Sequence, residues 1–530
     1  FQLYGHGLEG VELEYDEALR GSGMEVLGIR DRLGRELLLD GVVDSSAVAG
    51  KDLVLTLDKY LTYVTERALE AAVNKHNAKA AVSVMIDPHT GEILAMASVP
   101  GYNPNDPSNQ VERGARNRAI TDAYEPGSIM KTVTFAAAFE AGKLRPEDRF
   151  DCQLGKMQIG KHTIRDDHPK GILTAAEVFK HSSNIGTVKI ARRIGKEALA
   201  RTIEQLGFGR PTGVGLRGER PGTVRPVSRW GEIEFATHAF GQGLTVTPLQ
   251  MTVAYAAIAS GGIYRPPKLA LRFVTADGQS QPVPPPAGAR PETRVLSEAT
   301  ARTMLTIMQG VTEDGTAKLA AIPGYPVAGK TGTAQKVTNG RYDPNKYLAG
   351  FVGIVPADNP RVVIAVMVDE PHGVHYGGVV AAPTFKEIAE ATLRYLGVPP
   401  SRSTPSIASQ AKKNKAAIAS IPRSEQEVSE VEGNGVDEPM ATEENLADDQ
   451  TATVAQEDQG STTGEVEGAG KLDTSMPDFT GMTLGQAVRA ARRAGVELVP
   501  QGSGVATTQT PPPGPAARGT PCRVSFKRGG

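Results

Sequence analysis

Glu125-Pro126-Gly127-Ser128-Ile129-Met130-Lys131, running on into Thr132-Val133-Thr134-Phe135-Ala136-Ala137-Ala138-Phe139, is the stretch on which the reading of this chain turns. The Pro-Gly pair ends whatever precedes it. The Ala-rich apolar run from Lys131 to Phe139 has the character of a buried helix that Gly142 would stop. Ser128 is thereby placed at a helix start. Residues three apart share a helix face, so the Lys131 amine can reach the Ser128 hydroxyl, and the positive end of the helix favours an alkoxide or oxyanion there. An amine accepts a proton only when neutral, a state that burial and a neighbouring cation favour by lowering its pKa.

Spacing alone does not decide the matter. Ser409-Gln410-Ala411-Lys412 repeats the pattern in a polar stretch with no core to desolvate the lysine. Acyl transfer from a serine also needs a proton path to the leaving amine, donors for the oxyanion, and groups that hold the substrate. Ser182-Ser183-Asn184 falls between an expected helix from Thr174 to His181 and another from Ile185 to Ile194, as a short polar loop able to point Ser182 and Asn184 into a cleft. Lys330-Thr331-Gly332-Thr333 opens an expected strand through Val337, with a glycine for close backbone approach and a lysine for positive charge. Singly, these are a cap signature and a turn entering a strand.

In the order S-x-x-K, S-x-N, K-T-G they form the set found in penicillin-binding proteins and the related β-lactamases. From about Asp52 to about Leu396 the chain resembles the transpeptidase domain of class B penicillin-binding proteins, the membrane-anchored enzymes that cross-link peptidoglycan. Asn117-Arg118-Ala119-Ile120, Gly241-Gln242-Gly243-Leu244 with Thr247-Pro248-Leu249-Gln250, and Asp369-Glu370-Pro371 with Tyr376-Gly377-Gly378 share the likeness. The resemblance implies that Ser128 is acylated, that Lys131 takes its proton, that Ser182 relays protons to the leaving nitrogen and that Asn184 holds the substrate's peptide amide. It further implies that Lys330, with Thr331, Gly332 and Thr333, receives a terminal carboxylate, and that the backbone N–H groups of Ser128 and Thr333 form the oxyanion hole. Neither metal nor cofactor is called for. His372-Gly373-Val374-His375 has metal-like spacing but no third ligand nearby, and His181 and His238 read as structural.

The fold class implied is α+β, a β-lactamase-like domain with an antiparallel sheet of about five strands covered by helices. Ala81 to Ile86 and Glu92 to Ala97 read as a hairpin, as do Tyr347 to Val355 and Arg361 to Val368, with the Lys330 strand as the fifth. The expected domains are the end of an N-terminal pedestal (1–51), the transpeptidase domain (52–398), an acidic disordered linker (399–473) and a small α/β module resembling a PASTA domain (474–530). In that module, a helix from Leu484 to Ala494 precedes strands at Gly495 to Val499 and Cys522 to Phe526.

A chain of 530 residues exceeds one ordinary domain, and 39% hydrophobic with 22% charged residues is a globular composition. A net charge of −2 argues against a nucleic-acid partner. Cys152 and Cys522 fall in different expected domains and make no disulfide framework. The chain starts at Phe1 without a long apolar run, so the resemblance implies a missing N-terminal anchor helix, attachment to the cytoplasmic membrane and a catalytic domain on its outer side. A PASTA-like module points to a division-type (septal) enzyme whose partners are D-Ala-D-Ala stem peptides, β-lactams and other cell-division and wall-synthesis proteins. A β-lactamase is disfavoured by the absence of a Glu-x-x-Leu-Asn element after Asn184 and by chain length. A penicillin-sensing receptor domain and a D,D-carboxypeptidase or β-lactamase remain the alternatives.

Overall fold

Two apolar stretches, Ala80–Ile86 (β1) and Ile93–Val99 (β2), pair antiparallel across the turn that starts at Asp87. The Asp87 carboxylate accepts the His89 N–H at 2.7 Å, and the Gly91 N–H closes on the Asp87 carbonyl at 2.9 Å. Ala328–Thr338 (β3), Arg341–Val355 (β4) and Val362–Asp369 (β5) complete an antiparallel sheet of order β3-β4-β5-β1-β2. Every residue of β1, and β5 from Val362 to Val368, is buried, so both faces of the central strands are covered. The strands begin or end within a few residues of the expected limits. β4 starts earlier, at Arg341, and Glu92 makes only an isolated bridge to Lys268.

This computed structural model describes residues 6–21, 29–30, 36–37, 49–103, 116–338, 340–402, 474–482, 486–487, 490–491, 494, 496–502, 505–516 and 521–527. The expected linker, apart from residues 399–402, and most of the expected pedestal beyond residue 21 lie outside the described residues. By contacts the chain divides into two units, Phe1–Met440 and Ala441–Gly530.

Helices cover both faces of the sheet. Lys59–Lys75 (α1) is N-capped by Asp58, whose carboxylate accepts the Leu61 N–H at 2.9 Å. The remaining helices that shape the site are Lys131–Glu140 (α2), Ala175–Lys180 (α3), Asn184–Ile194 (α4), Pro248–Ala259 (α5), Glu298–Glu313 (α6) and Gly377–Tyr395 (α7). Along β4, Phe351 meets Phe385 of α7 edge-on at 4.8 Å, while a Cβ on the neighbouring Gly350 would lie 3.0 Å from Ile129 just ahead of α2. Adjacent strand residues face opposite ways, so α7 and the α2 entry lie on opposite faces. α5 is buried along its whole length, and its few polar side chains are bonded, Thr252 to the Pro248 carbonyl, Gln250 to the Arg210 and Pro221 carbonyls and Tyr255 to Thr132 and the Ile129 carbonyl. Thr247 and Gln250 close its start as a capping box with a proline at the first turn.

In the second unit, Glu497–Gly502 (β6) pairs parallel with Pro521–Lys527 (β8), which pairs antiparallel with Val505–Thr510 (β7). The described residues between 486 and 494 are helical. Phe479, Ala487, Ala491, Cys522, Val524 and Phe526 form its core. The sequence reading missed β7, because Val505-Ala506-Thr507-Thr508-Gln509-Thr510 buries only Ala506 and carries little apolar alternation.

Candidate active site

Ser128 lies on a 3₁₀ turn, Gly127–Met130, that feeds directly into α2. Glycines let that turn press against its neighbours. A Cβ on Gly332 of β3 would stand 2.7 Å from Ile129 Cγ1 and 3.0 Å from the Pro126 carbonyl oxygen. A Cβ on Gly241 would stand 2.2 Å from the Gly127 carbonyl oxygen, and the Gly127 N–H donates to the Gly241 carbonyl at 3.0 Å. The serine is thus clamped between the Gly241-Gln242-Gly243 turn and the edge strand β3. Among the described residues Ser128 Oγ has no hydrogen-bond partner.

Ser182 enters from the end of α3. Its φ of +58° is left-handed, its N–H bonds the Phe179 carbonyl at 3.2 Å, and the Ser183 N–H bonds the Val178 carbonyl at 3.0 Å. This is a Schellman closure in which serine takes the place glycine normally fills, a local strain of the kind held at functional sites. The turn aims the Ser182 hydroxyl at two amines. Lys330 Nζ donates to Ser182 Oγ at 2.9 Å and Lys131 Nζ at 3.2 Å, and Lys131 Nζ also bonds the Ser182 carbonyl. Lys131 and Lys330 are both fully buried. Burial pushes Lys131 down to about 8 against the pull of Asp166 and Asp167. Burial, then the like charge of Lys131, pushes Lys330 well below the ordinary lysine value, with Asp167 opposing.

The structure departs from the sequence expectation in two places. Asn184 is not in a loop: it opens α4, with Ser183 as the cap accepting the Gly186 N–H at 3.0 Å. The Asn184 amide donates to the Arg165 carbonyl at 2.8 Å. Lys131, expected at the Ser128 hydroxyl, hydrogen-bonds Ser182 instead, because the buried ammonium finds its acceptors there. Thr331 is buried and its hydroxyl pairs with Thr316 at 2.9 Å, while the Thr333 hydroxyl accepts the Gly377 N–H at 3.1 Å. A Cβ on Gly127 would lie 3.3 Å from the Thr333 carbonyl oxygen, so the two backbone segments expected to form the oxyanion hole are neighbours.

Asp166 escaped the sequence reading. Its buried carboxylate accepts the Ser183 hydroxyl at 2.5 Å and the backbone N–H groups of Asn184 and Ile185 at 2.5 and 3.1 Å. It therefore neutralises the exposed donors at the start of α4 and fixes the loop that carries Ser182. No spacing rule marks an aspartate eighteen residues upstream of the helix it caps. Of the remaining histidines, His375 stacks on Tyr347 at 3.9 Å and on Tyr376 at 4.9 Å, and His238 packs edge-on against Trp230.

The arrangement defined here is an antiparallel sheet whose edge strand borders a serine at a helix entry, with two buried lysines sharing the hydroxyl of a second serine. Residues 81–390 match the penicillin binding protein transpeptidase domain, and residues 474–521 match the PASTA domain. The chain belongs to the penicillin-binding protein transpeptidase family. It is 40% identical over 403 residues to a probable peptidoglycan D,D-transpeptidase, PenA, of Neisseria meningitidis, covering 75% of this chain and 66% of the relative. It is 38% identical to the peptidoglycan D,D-transpeptidase FtsI of Escherichia coli over 75% of this chain and 65% of the relative. The chain therefore spans just under two thirds of the length of these relatives. Penicillin-binding protein 3 of Mycobacterium tuberculosis, solved with ampicillin, superposes with a TM-score of 0.68 at 35% identity, covering 75% of this chain and 86% of that one.

Proposed function

We propose that this protein is a peptidoglycan D,D-transpeptidase of septal wall synthesis, acylated at Ser128. The observation that carries this reading is the Ser182 hydroxyl shared by the Lys131 and Lys330 amines. Burial pushes both amines down, the like charge of Lys131 lowers Lys330 further, and Asp166 and Asp167 favour charge on Lys131. The pair holds one proton, resting on Lys131. A substrate carboxylate arriving at Lys330 draws that proton across Ser182 Oγ and leaves Lys131 neutral, ready to act as base.

Ser128 Oγ then gives its proton to Lys131 Nζ and attacks the carbonyl carbon of the penultimate D-alanine. The oxyanion rests on the Ser128 and Thr333 backbone N–H groups. The C–N bond breaks, the proton passes by way of Ser182 to the leaving nitrogen, and D-alanine departs. An amine of a second stem peptide attacks the ester carbon and yields its proton to Lys131, and as the C–O bond to Ser128 breaks Lys131 returns that proton to Ser128 Oγ. Asn184 is placed at the mouth of α4 to hold the donor's peptide amide once it leaves the Arg165 carbonyl. β3, at the sheet edge, offers backbone groups to an extended peptide.

The substrates, the septal role, the anchoring to the cytoplasmic membrane and the partnership with other division proteins follow from family kinship and from the PASTA module. Among the described residues no helix is long and apolar enough to cross a membrane. The test is covalent labelling with a fluorescent penicillin. Ser128→Ala is expected to abolish the label, and undiminished labelling overturns the assignment.

A further inference from the structure

Tyr255 carries a hydroxyl that packing alone does not require. It stands on α5 among Ala254, Ala256, Ala257 and Ile258, all buried, and is itself fully buried. Phenylalanine would fill the same space without taking a polar atom out of water, which is unfavourable unless that atom is bonded. The Tyr255 hydroxyl is bonded twice, and both partners belong to the segment that presents the nucleophile. It donates to the Ile129 carbonyl at 3.1 Å and lies 2.7 Å from the Thr132 hydroxyl. A phenol has one proton and a carbonyl only accepts, so Thr132 is the donor in the second bond. A chain of hydrogen bonds thus runs from Thr132 through Tyr255 to the Ile129 carbonyl, closed to water because Thr132 and Ile129 are buried as well.

Ile129 directly follows Ser128 in the chain. Because Ser128 Oγ has no hydrogen-bond partner among the described residues, the backbone on either side of it sets where it stands. Ahead of it, the Gly127 N–H is tied to the Gly241 carbonyl at 3.0 Å; behind it, the Ile129 carbonyl is tied to Tyr255. The close approaches of Gly332 and Gly241 limit how near the turn comes to its neighbours. Contact of that kind does not stop the turn rotating about its own axis, whereas a directional hydrogen bond does. Lys131 Nζ is engaged with Ser182, and so is Lys330 Nζ. A small rotation of the turn therefore shifts Ser128 Oγ against both amines and leaves the carboxylate end of the cleft as it was.

We infer that Tyr255 is a positioning residue: its hydroxyl, through the Ile129 carbonyl, sets the rotation at which the 3₁₀ turn offers Ser128 Oγ to the substrate carbonyl and to Lys131. This rests on the acyl-transfer reading above and adds to it a group that lies outside the three motifs and touches neither substrate nor base. Thr132 orients the phenol, since its donated proton leaves the Tyr255 proton for Ile129.

Stopped-flow labelling with a fluorescent penicillin separates the dissociation constant of the first complex from the rate constant of acylation. Tyr255→Phe is expected to lower the rate constant about tenfold, the scale of a nucleophile misplaced by well under about 1 Å, and to leave the dissociation constant within about threefold. The alkaline limb of its pH profile stays in place, because Lys131 and its charged neighbours are untouched. Thr134→Val breaks a buried hydroxyl-to-carbonyl bond of the same kind, from α2 to Ala239 at 2.7 Å. It is expected to lower Tm comparably while its rate constant stays within about threefold of wild type. Placing 4-aminophenylalanine at position 255 keeps a donor at the end of the ring and is expected to restore the rate constant to a similar margin. A Tyr255→Phe rate constant within threefold of wild type, a loss that appears in the dissociation constant instead, or an equal loss in Thr134→Val overturns the inference. So does a 4-aminophenylalanine variant as slow as Tyr255→Phe. A Tyr255→Phe protein that does not fold makes the hydroxyl a structural group and overturns it too. Absent label in the wild type sinks the acyl-transfer reading, whereas label that is indifferent to Tyr255 sinks only this inference.

Discussion

Acylation of Ser128 by a penicillin should follow a bell-shaped pH profile whose alkaline limb falls near pH 8, well below the ordinary lysine range. Ser182 Oγ lies 3.2 Å from Lys131 Nζ and 2.9 Å from Lys330 Nζ, so the two buried amines titrate as a pair. Two protons are disfavoured by burial and like charge; with none, no cation remains for the penicillin carboxylate. The working form carries one. Burial places loss of the last proton at about 8, the value for Lys131. Each pH unit beyond that removes about tenfold, so the rate is roughly half-maximal at pH 8 and about a tenth of maximal at pH 9. The assay is the second-order rate constant for fluorescent-penicillin labelling between pH 5 and 10 at fixed ionic strength. After burial, Asp166 is the first influence on Lys131, and it favours the ammonium, so Asp166→Asn should move the alkaline limb to lower pH. A rate that holds or climbs through pH 9 to 10 refutes the shared-proton reasoning. A limb unmoved in Asp166→Asn refutes that residue's electrostatic part in it.

Two further substitutions test the packing that presents the serine. Gly332→Ala places a methyl 2.7 Å from Ile129 Cγ1 and 3.0 Å from the Pro126 carbonyl oxygen, pushing the Ser128 turn off β3. Acylation should drop about a hundredfold with only a modest change in Tm, and a rate within threefold of wild type would refute the clamp. Phe385→Ala removes a fully buried ring that meets Phe351 edge-on at 4.8 Å, and should cost about 3–5 kcal/mol in denaturant unfolding; a loss under about 1 kcal/mol would show the core re-closing there.

The three motifs were legible because each is a local device: a turn into a buried helix, a polar break between helices, a glycine-bearing strand start. The sheet was legible for a related reason. Runs such as Val362-Val363-Ile364-Ala365-Val366-Met367-Val368 are apolar throughout and bounded by turn residues. Asp166 and Tyr255 were not. An aspartate or a tyrosine in sequence carries no sign of what it will bond, and both owe their character to segments brought in from elsewhere, α4 for one and the Ser128 turn for the other.

By itself the sequence determined the candidate residues and their order, since a hydroxyl, an amine and a second cation are side-chain types read directly from composition and spacing. Tertiary structure alone decided how they are charged. Lys131 and Lys330 are 199 positions apart in the chain, and only folding buries both amines against the one Ser182 hydroxyl. Desolvation and like-charge repulsion are properties of that shared enclosure, and they push the Lys131 amine, and further still the Lys330 amine, below the ordinary lysine value.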